Sequence, residues 1–124
     1  MIIGLGTDIV DISRVASAMQ RYGGQFMEHT FTPAESAEGA GRVSYFAGRW
    51  AAKEAAAKAL GCGIGEECSF TDIEVLDDDS GAPQLTCSAL RAKRLEKQHP
   101  LRWHVSISHE KQYAVATVIV ETLC

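Results

Sequence analysis

The chain has 124 residues, enough for one compact domain around a single hydrophobic core. Hydrophobic residues make up 46% of it and charged residues 23%, a balance typical of a folded protein and not of a disordered one. The formal net charge of -4 argues against a general nucleic-acid-binding protein, because such proteins usually carry an excess of Lys and Arg. We therefore expect a single domain over residues 1–124 and no nucleic-acid partner.

The cysteines and the hydropathy pattern bear on location. Cys62, Cys68, Cys87 and Cys124 are even in number, but no signal-peptide pattern accompanies them, and a chain of this length folds without disulfides. No apolar run approaches the ~20 residues of a membrane span. We expect free thiols in a cytoplasmic protein that does not enter a membrane. The spacings of Cys and His do not match a structural zinc site.

Residues 1–10, MIIGLGTDIV, are β-branched and interrupted by glycines, which predicts a first strand packed closely against a neighbour. Asp8 falls near the end of this strand. From composition alone, Asp8 either caps the next helix, as Asp11 also could, or belongs to a site. The G-x-G here lacks the third glycine of a dinucleotide-binding fingerprint.

A helix is predicted over residues 11–22, because apolar residues recur there at helical spacing and Gly23 and Gly24 follow. Arg14 and Arg21 share a different face of this helix. Such a basic stripe is either solvated surface or a docking site for an acidic protein partner, steered by complementary charge.

Residues 31–35, FTPAE, form a capping-box pattern with Thr32 as N-cap, Pro33 at the first helical position and a structural Glu35. They predict a short helix, and the Gly- and Ala-rich residues 38–42 predict a bend after it. The next segment, 45–61, is a strong helix pattern rich in Ala and ending at Gly61.

The charges of the 45–61 helix need an explanation, because the helix is apolar nearly all round and such a helix is usually buried. It carries Arg49, Lys53, Glu54 and Lys58. In one interpretation Glu54 and Lys58 form an i,i+4 pair while the other two cations reach solvent. In the other, three cations and one carboxylate form a site for an anion accompanied by a metal.

Residues 61–65, GCGIG, form either an exit turn or a loop whose backbone N–H groups approach a phosphate. Strands are predicted at 70–76 and 84–87, joined by a polar turn that lacks the ligands of a calcium loop. A helix over 88–98 should bury Leu90 and Leu95. Residues 104–120 predict a hairpin with His109 at its turn.

Short connections between these strands imply hairpins. The sequence therefore predicts an α+β fold, with a mainly antiparallel sheet packed against helices, one of them a long central helix.

Four segments together carry a resemblance to a known family: GLGTDIVDISR (4–14), FTPAE (31–35), FAGRWAAKEAAAKALGCGIG (46–65) and HVSISHEKQYAVA (104–116). They resemble the holo-[acyl-carrier-protein] synthases, the short bacterial members of the 4'-phosphopantetheinyl transferase superfamily. The W-x-x-K-E-x-x-x-K pattern, with G-x-D upstream and S-x-S-H downstream, is quite specific, and the similarity spans nearly the whole chain.

The resemblance implies transfer of 4'-phosphopantetheine from coenzyme A to a serine of an apo acyl carrier protein, with Mg²⁺ as cofactor. It implies a homotrimer with coenzyme A bound at clefts between subunits. The implied site residues fall into three groups: Asp8 and Glu54 as metal ligands, Arg49, Lys58, Gly63, Gly65 and His109 at the coenzyme A site, and Arg14 and Arg21 facing the carrier protein. Glu54, Lys58 and Asp8 are then the catalytic residues, and either Glu54 or a metal-bound water takes the serine proton.

Two other functions fit the same chemical residues. One is a Mg²⁺-dependent hydrolase of nucleotides or coenzyme A, in which Asp8 and Glu54 orient a water molecule. The other is a non-catalytic trimer that only binds coenzyme A.

Overall fold

The computed structural model of the chain describes residues 1–123. Its main sheet has three antiparallel strands in the order β1-β5-β4. Their bounds are β1, Ile2–Asp11; β4, Leu101–His109; and β5, Tyr113–Thr122. Because β5 is central, Asp8 of β1 lies opposite Ala116, and His109 of β4 lies opposite Ala114, two residues along the same strand.

A separate two-stranded antiparallel sheet is formed by β2, Ile73–Asp77, and β3, Pro83–Cys87. The side chain of Asp78 closes their turn by accepting the N–H groups of Ser80 and Ala82. The predicted strand at 70–76 is wrong in its first three residues. Phe70–Asp72 form a 3₁₀ turn, in which the Asp72 side chain accepts the N–H of Ser69 and the Asp72 N–H donates to the carbonyl oxygen of Ser69.

Five helices accompany the sheets in the described part of the chain: α1, Ile12–Tyr22; α2, Gly24–Thr30; α3, Pro33–Gly39; α4, Val43–Leu60; and α5, Leu90–Glu96. Helix α4 packs on the inner face of the main sheet, against β1, β4 and β5. It ends at Gly61, whose φ of 82° is left-handed, as the C-cap prediction requires. The α+β architecture with antiparallel pairing and a long central helix is confirmed.

N-cap residues in the sequence correctly indicate where α1 and α3 begin. Asp11 caps α1 by accepting the N–H of Ser13, and Thr32 and Glu35 form the complete capping box of α3. Helix α2 is not predicted by the sequence, because Gly23 and Gly24 indicate only the end of α1, and no side chain in the described residues caps the start of α2. The bend expected at 38–42 is confined to residues 40–42, because α3 continues to Gly39.

The prediction that Leu90 is internal is wrong. Helix α5 is shorter than the predicted 88–98 helix, and Leu90 at its first turn is 58% exposed, whereas Ala92 is fully buried. The core is made mainly by the alanines of α4, the inward residues of β5, Phe31, Phe46, Ile73 and Val75. Within residues 1–123, none of the helices has the length and apolar character needed to cross a membrane.

Candidate active site

Two glycines bring β1 unusually close to α4. A Cβ atom on Gly4 would lie 1.9 Å from the carbonyl oxygen of Ala59, and one on Gly6 would lie 1.9 Å from that of Ala55. Only glycine fits where two backbones approach this closely. The close approach places Asp8, the next residue on the inner face of β1, beside the C-terminal half of α4.

Asp8 pairs with Lys58 of α4, at 3.0 Å between Oδ1 and Nζ. The same Nζ donates to the carbonyl oxygen of Thr7 at 3.0 Å. The i,i+4 pair between Glu54 and Lys58, one of the two interpretations of the sequence, is therefore replaced by a pair between distant segments. The Lys58 side chain is 50% exposed, and within residues 1–123 two acceptors engage its three N–H donors, which leaves one donor for a ligand.

The second oxygen of Asp8, Oδ2, is buried and accepts no hydrogen bond from any group in residues 1–123. Glu54 lies nearby on α4. Its pKa is raised by burial and further by the negative charge of Asp8, while Lys58 opposes the shift. An unpaired buried carboxylate oxygen beside a second carboxylate is costly unless a cation joins them.

Asp8 and Glu54 are suited to a hard divalent cation such as Mg²⁺, which binds carboxylate oxygens and completes its shell with water or phosphate oxygens. A larger protein cage is absent: residues 1–123 contain no group of three or more His, Cys, Asp or Glu side chains arranged to hold a metal. The donor set therefore fits an ion that is shared with a substrate.

Lys53, the neighbour of Glu54 on α4, lies in the core and is fully buried. Its Nζ lies 2.6 Å from Oε1 of Glu35 and donates to the carbonyl oxygens of Phe70, at 2.9 Å, and Ile73, at 2.7 Å. All three N–H donors are thus satisfied within the protein. The idea that Lys53 snorkels to solvent is wrong, and its role is to fix α4 against α3 and the start of β2.

Arg49 lies one helical turn before Lys53 and is also buried, at 6% exposure. Its guanidinium contacts Asp77 at 2.7 Å and Glu38 at 3.3 Å, and it stacks over the ring of Tyr45. The interpretation in which Arg49 reaches solvent by snorkelling is therefore wrong. Two carboxylates, Glu38 and Asp77, already compensate the positive charge of Arg49, so a phosphate bound there would compete with them for the guanidinium group.

Arg49 nevertheless lines an open cavity of about 210 Å³, together with His109 at the β4–β5 turn. Arg42 lines the same cavity, is exposed and has no carboxylate within salt-bridge distance among residues 1–123. The sequence pattern predicts only a bend at Arg42 and does not identify its side chain as part of this cavity. Its position just before the first turn of α4, on the side of Arg49, was the available signal.

These residues form two groups on different faces of α4. Positions 49 and 54 are five residues apart, which separates their side chains by about 140° around a helix. Asp8, Glu54 and Lys58 form one group, hereafter the carboxylate cluster. Arg42, Arg49 and His109 form the other, hereafter the arginine cavity.

In the glycine loop at 61–65, backbone N–H groups form hydrogen bonds within the protein. The N–H of Gly63 donates to the carbonyl oxygen of Ala57, and that of Gly65 donates to Cys68. The interpretation in which these two N–H groups bind a phosphate is therefore not supported by this conformation. A Cβ atom at either glycine would meet nothing within 4 Å, so both face open space beside the end of α4.

Arg14 and Arg21 are exposed on one face of α1, where both line a shallow depression with Ser17 and Tyr22. Neither forms a salt bridge with a described residue. The predicted basic stripe is thus present, and no carboxylate of residues 1–123 holds either arginine in a salt bridge.

The fold and the carboxylate cluster define a class: an α+β domain that brings two carboxylates and a lysine together beside its long central helix. The family model described as the 4'-phosphopantetheinyl transferase superfamily matches residues 4–118. The chain belongs to this superfamily.

Within this superfamily, the chain is similar to holo-[acyl-carrier-protein] synthases. The chain is 43% identical to the holo-[acyl-carrier-protein] synthase of Solidesulfovibrio magneticus, over 98% of this chain and 99% of the relative. The structure of the Helicobacter pylori holo-[acyl-carrier-protein] synthase, a complex with coenzyme A, superposes with a TM-score of 0.86 at 35% identity, covering 94% of this chain and 99% of that one. The enzyme from Neisseria meningitidis gives 0.87 at 38% identity, covering 98% and 100%.

Proposed function

We propose that this protein transfers the 4'-phosphopantetheine group of coenzyme A to a serine of an apo acyl carrier protein, releasing adenosine 3',5'-bisphosphate. The observation that carries the proposal is the unpaired buried oxygen of Asp8 beside Glu54 and Lys58, in a chain of the phosphopantetheinyl transferase superfamily. In the reaction the serine oxygen forms a bond to the phosphorus that carries pantetheine, and the bond from that phosphorus to the bisphosphate breaks.

Asp8 and Glu54 would hold Mg²⁺, which when bound neutralises charge on the pyrophosphate. Lys58 supplies a further positive charge, held in place by its hydrogen bonds to Thr7 and Asp8, with one N–H donor remaining for the substrate. The lysine is thereby oriented before substrate arrives, and its charge stabilises the bisphosphate as it leaves.

The arginine cavity would take the other end of coenzyme A. Arg49 and His109 line it, and Arg42 adds an uncompensated positive charge suited to a phosphate group. The open space at Gly63 and Gly65 would let the backbone approach the ligand at the other end of α4.

We propose a homotrimer with its sites at the subunit interfaces. The outer face of the main sheet supports this assembly, because several of its apolar side chains are exposed in the single chain: Leu5 at 64%, Ile9 at 64%, Tyr113 at 41% and Val115 at 37%. A contiguous apolar patch of this kind marks a protein interface. The position of the carboxylate cluster and the arginine cavity on different faces of α4 also suits a ligand that bridges two subunits.

The carrier protein would dock on Arg14 and Arg21. Acyl carrier proteins are acidic, and two uncompensated arginines on one helix face attract such a surface even though the enzyme itself has a net charge of -4. A cytoplasmic location is part of the proposal, and the free thiols of Cys62, Cys68 and Cys87 support it.

Intact-mass analysis of an apo carrier protein, incubated with this protein, coenzyme A and Mg²⁺, tests the function directly. We expect the carrier to gain the mass of phosphopantetheine and an equal amount of bisphosphate to appear. Bisphosphate released without any carrier would instead favour a hydrolase. Coenzyme A binding without a mass change on the carrier would favour a non-catalytic binding protein.

A further inference from the structure

Asp77 supplies the one carboxylate that lines the arginine cavity within residues 1–123. It is the last residue of β2, just before the exposed turn at 78–82. Its Oδ1 accepts a hydrogen bond from Nη2 of Arg49 at 2.7 Å, a charge-assisted contact of the kind that a phosphate oxygen also makes with arginine. The Asp77 carboxylate therefore occupies a donor that a bound phosphate would use.

The other acidic partner of Arg49, Glu38, has structural contacts that the Asp77 side chain lacks. Glu38 accepts the hydroxyl of Tyr45 and the backbone N–H of Asp77, and it does not line the cavity. The Asp77 side chain is 35% exposed, and Arg49 is its sole hydrogen-bond partner among residues 1–123. The Asp77 carboxylate is thus free to leave Arg49 without breaking another described contact.

Arg49 does not depend on Asp77 for its position. Its Nε donates to the carbonyl oxygen of Val75 at 3.1 Å, its Nη2 also contacts Glu38, and its guanidinium stacks over the Tyr45 ring. Its other terminal nitrogen, Nη1, forms no hydrogen bond within residues 1–123 and is not buried. A ligand phosphate at Nη1 would lie beside the Asp77 carboxylate, because both would contact the same guanidinium group.

The charged groups of the cavity oppose one another. Arg42 and Arg49 each carry a positive charge, while Asp77 and Glu38 place two negative charges against Arg49. A carboxylate next to the guanidinium repels an incoming phosphate. We propose that Asp77 is an internal competitor for the phosphate group of coenzyme A that enters the arginine cavity, and that it lowers the affinity for substrate and product alike. The inference rests on the proposed function.

This competition favours release of adenosine 3',5'-bisphosphate. As the bisphosphate leaves, the Asp77 carboxylate re-forms its bond to Arg49, and the buried guanidinium regains both of its counter-charges. The free enzyme is stabilised by this bond, whereas the product complex is not. The residence time of the product on the enzyme is shortened as a result.

Titration calorimetry with the Asp77→Asn variant tests the proposal. The amide has the shape of the carboxylate and keeps an oxygen for Arg49, but it lacks the charge. With Mg²⁺ present, coenzyme A should bind this variant about tenfold more tightly than the wild type, and the gain should shrink at high salt. Dephospho-coenzyme A keeps the pyrophosphate for the carboxylate cluster but lacks the 3'-phosphate, so its dissociation constant should stay unchanged.

Asp79→Asn is the matched control, because Asp79 is exposed in the adjoining turn and does not line the cavity. It changes the net charge equally and should leave coenzyme A affinity near the wild-type value. Asp77→Ala is a second variant, in which Arg49 keeps Glu38 and the Val75 carbonyl oxygen and affinity should again rise. Circular dichroism checks that each variant is folded.

Three results would overturn the proposal. The first is an unchanged or weaker affinity for coenzyme A in both Asp77 variants, which would make the carboxylate neutral or helpful to binding. The second is an equal gain in Asp79→Asn, which would reduce the effect to net charge. The third is an equal gain for dephospho-coenzyme A, which would place the competition outside the arginine cavity.

Failure of the inference is distinguishable from failure of the proposed function. If the wild type modifies an apo carrier protein and the Asp77 variants give any of these three results, only the role of Asp77 is refuted. If the wild type neither binds coenzyme A nor changes the mass of the carrier, the proposed function is refuted and the role of Asp77 with it.

Discussion

Replacement of Lys53 by methionine should destabilise the protein strongly without touching any proposed ligand contact. Methionine has nearly the shape of lysine without the charged ammonium group. The change would leave Glu35 fully buried with no counter-charge, and would orphan the carbonyl oxygens of Phe70 and Ile73, which Lys53 now binds.

The structure sets the size of the loss. Both side chains of the pair are 0% exposed, so solvent screening gives no relief. Removing one partner of such a pair costs about 3–5 kcal/mol, because an uncompensated charge stays in a medium of low dielectric constant. A chain of this length should then unfold roughly 10–20 °C lower in Tm. Since total stabilities are about 5–15 kcal/mol, this loss is a large fraction of the whole.

Urea and thermal unfolding followed by circular dichroism would measure the effect. Lys97→Met is the matched control, because Lys97 is exposed and the same replacement there should change stability by less than about 0.5 kcal/mol. The double variant Lys53→Met, Glu35→Gln should recover part of the loss, because it removes the unpaired charge. The recovery should be incomplete, since the two oxygens of Glu35 accept the N–H groups of Thr32 and Val75 separately and the single oxygen of glutamine can accept only one of them.

The reasoning would be refuted if Lys53→Met unfolded with a free energy within about 1 kcal/mol of the wild type. It would also fail if the double variant were less stable than the single one, because the charge on Glu35 would then not be the cause.

Three further changes test the site and its support. Glu54→Gln should abolish transfer, yet it should stabilise the metal-free protein near neutral pH. Because the pKa of Glu54 is raised in the folded protein, ionisation of this carboxyl group destabilises the fold as pH rises through that pKa, and the gain from glutamine should vanish below about pH 4. Thermal-shift measurements across this pH range test the expectation. Arg14→Glu should weaken binding of the carrier protein more at low salt than at high salt, as titration calorimetry would record. Gly6→Ala should cost about 3 kcal/mol or more on urea unfolding, because its methyl group would overlap the Ala55 carbonyl oxygen, whereas Gly24→Ala meets open space and should be tolerated.

Each of these has an outcome that contradicts it. Wild-type turnover in Glu54→Gln would remove that residue from the site. Equal losses of carrier affinity for Arg14→Glu at both salt concentrations would argue against a charge effect. Equal stability of Gly6→Ala and Gly24→Ala would mean that β1 and α4 are not held as closely as described.

The sequence predicted what depends on near neighbours in the chain. The capping box at Thr32 and Glu35, the end of α4 at Gly61 and the hairpin turn at His109 are all set by residues within a few positions of each other. Helix α2 lacks a side-chain cap and begins directly after the glycine that ends α1, so no local signal separates the two.

The partners of the α4 charges could not be predicted, because they come from distant segments. The partners of Arg49 lie on α3 and at the end of β2. Those of Lys53 lie on α3 and in the 3₁₀ turn. Helical periodicity shows that a nearly apolar helix carries four charged residues, but it does not indicate which of them contacts a carboxylate. The pairing of Lys58 with Asp8 likewise depends on the close approach of β1, which the glycines permit and do not by themselves prescribe.

Because the charged side chains of α4 point to different faces, the length of this helix is constrained. A residue inserted between Arg49 and Glu54 would rotate everything after it by about 100°. The inward lysine would leave Glu35, and the carboxylate cluster would turn away from β1. We therefore expect insertions and deletions inside α4 to disrupt the fold and the carboxylate cluster together, whereas the exposed turn at 78–82 should tolerate changes in length. Natural length variation among functional homologues should be concentrated at such turns and absent from this helix.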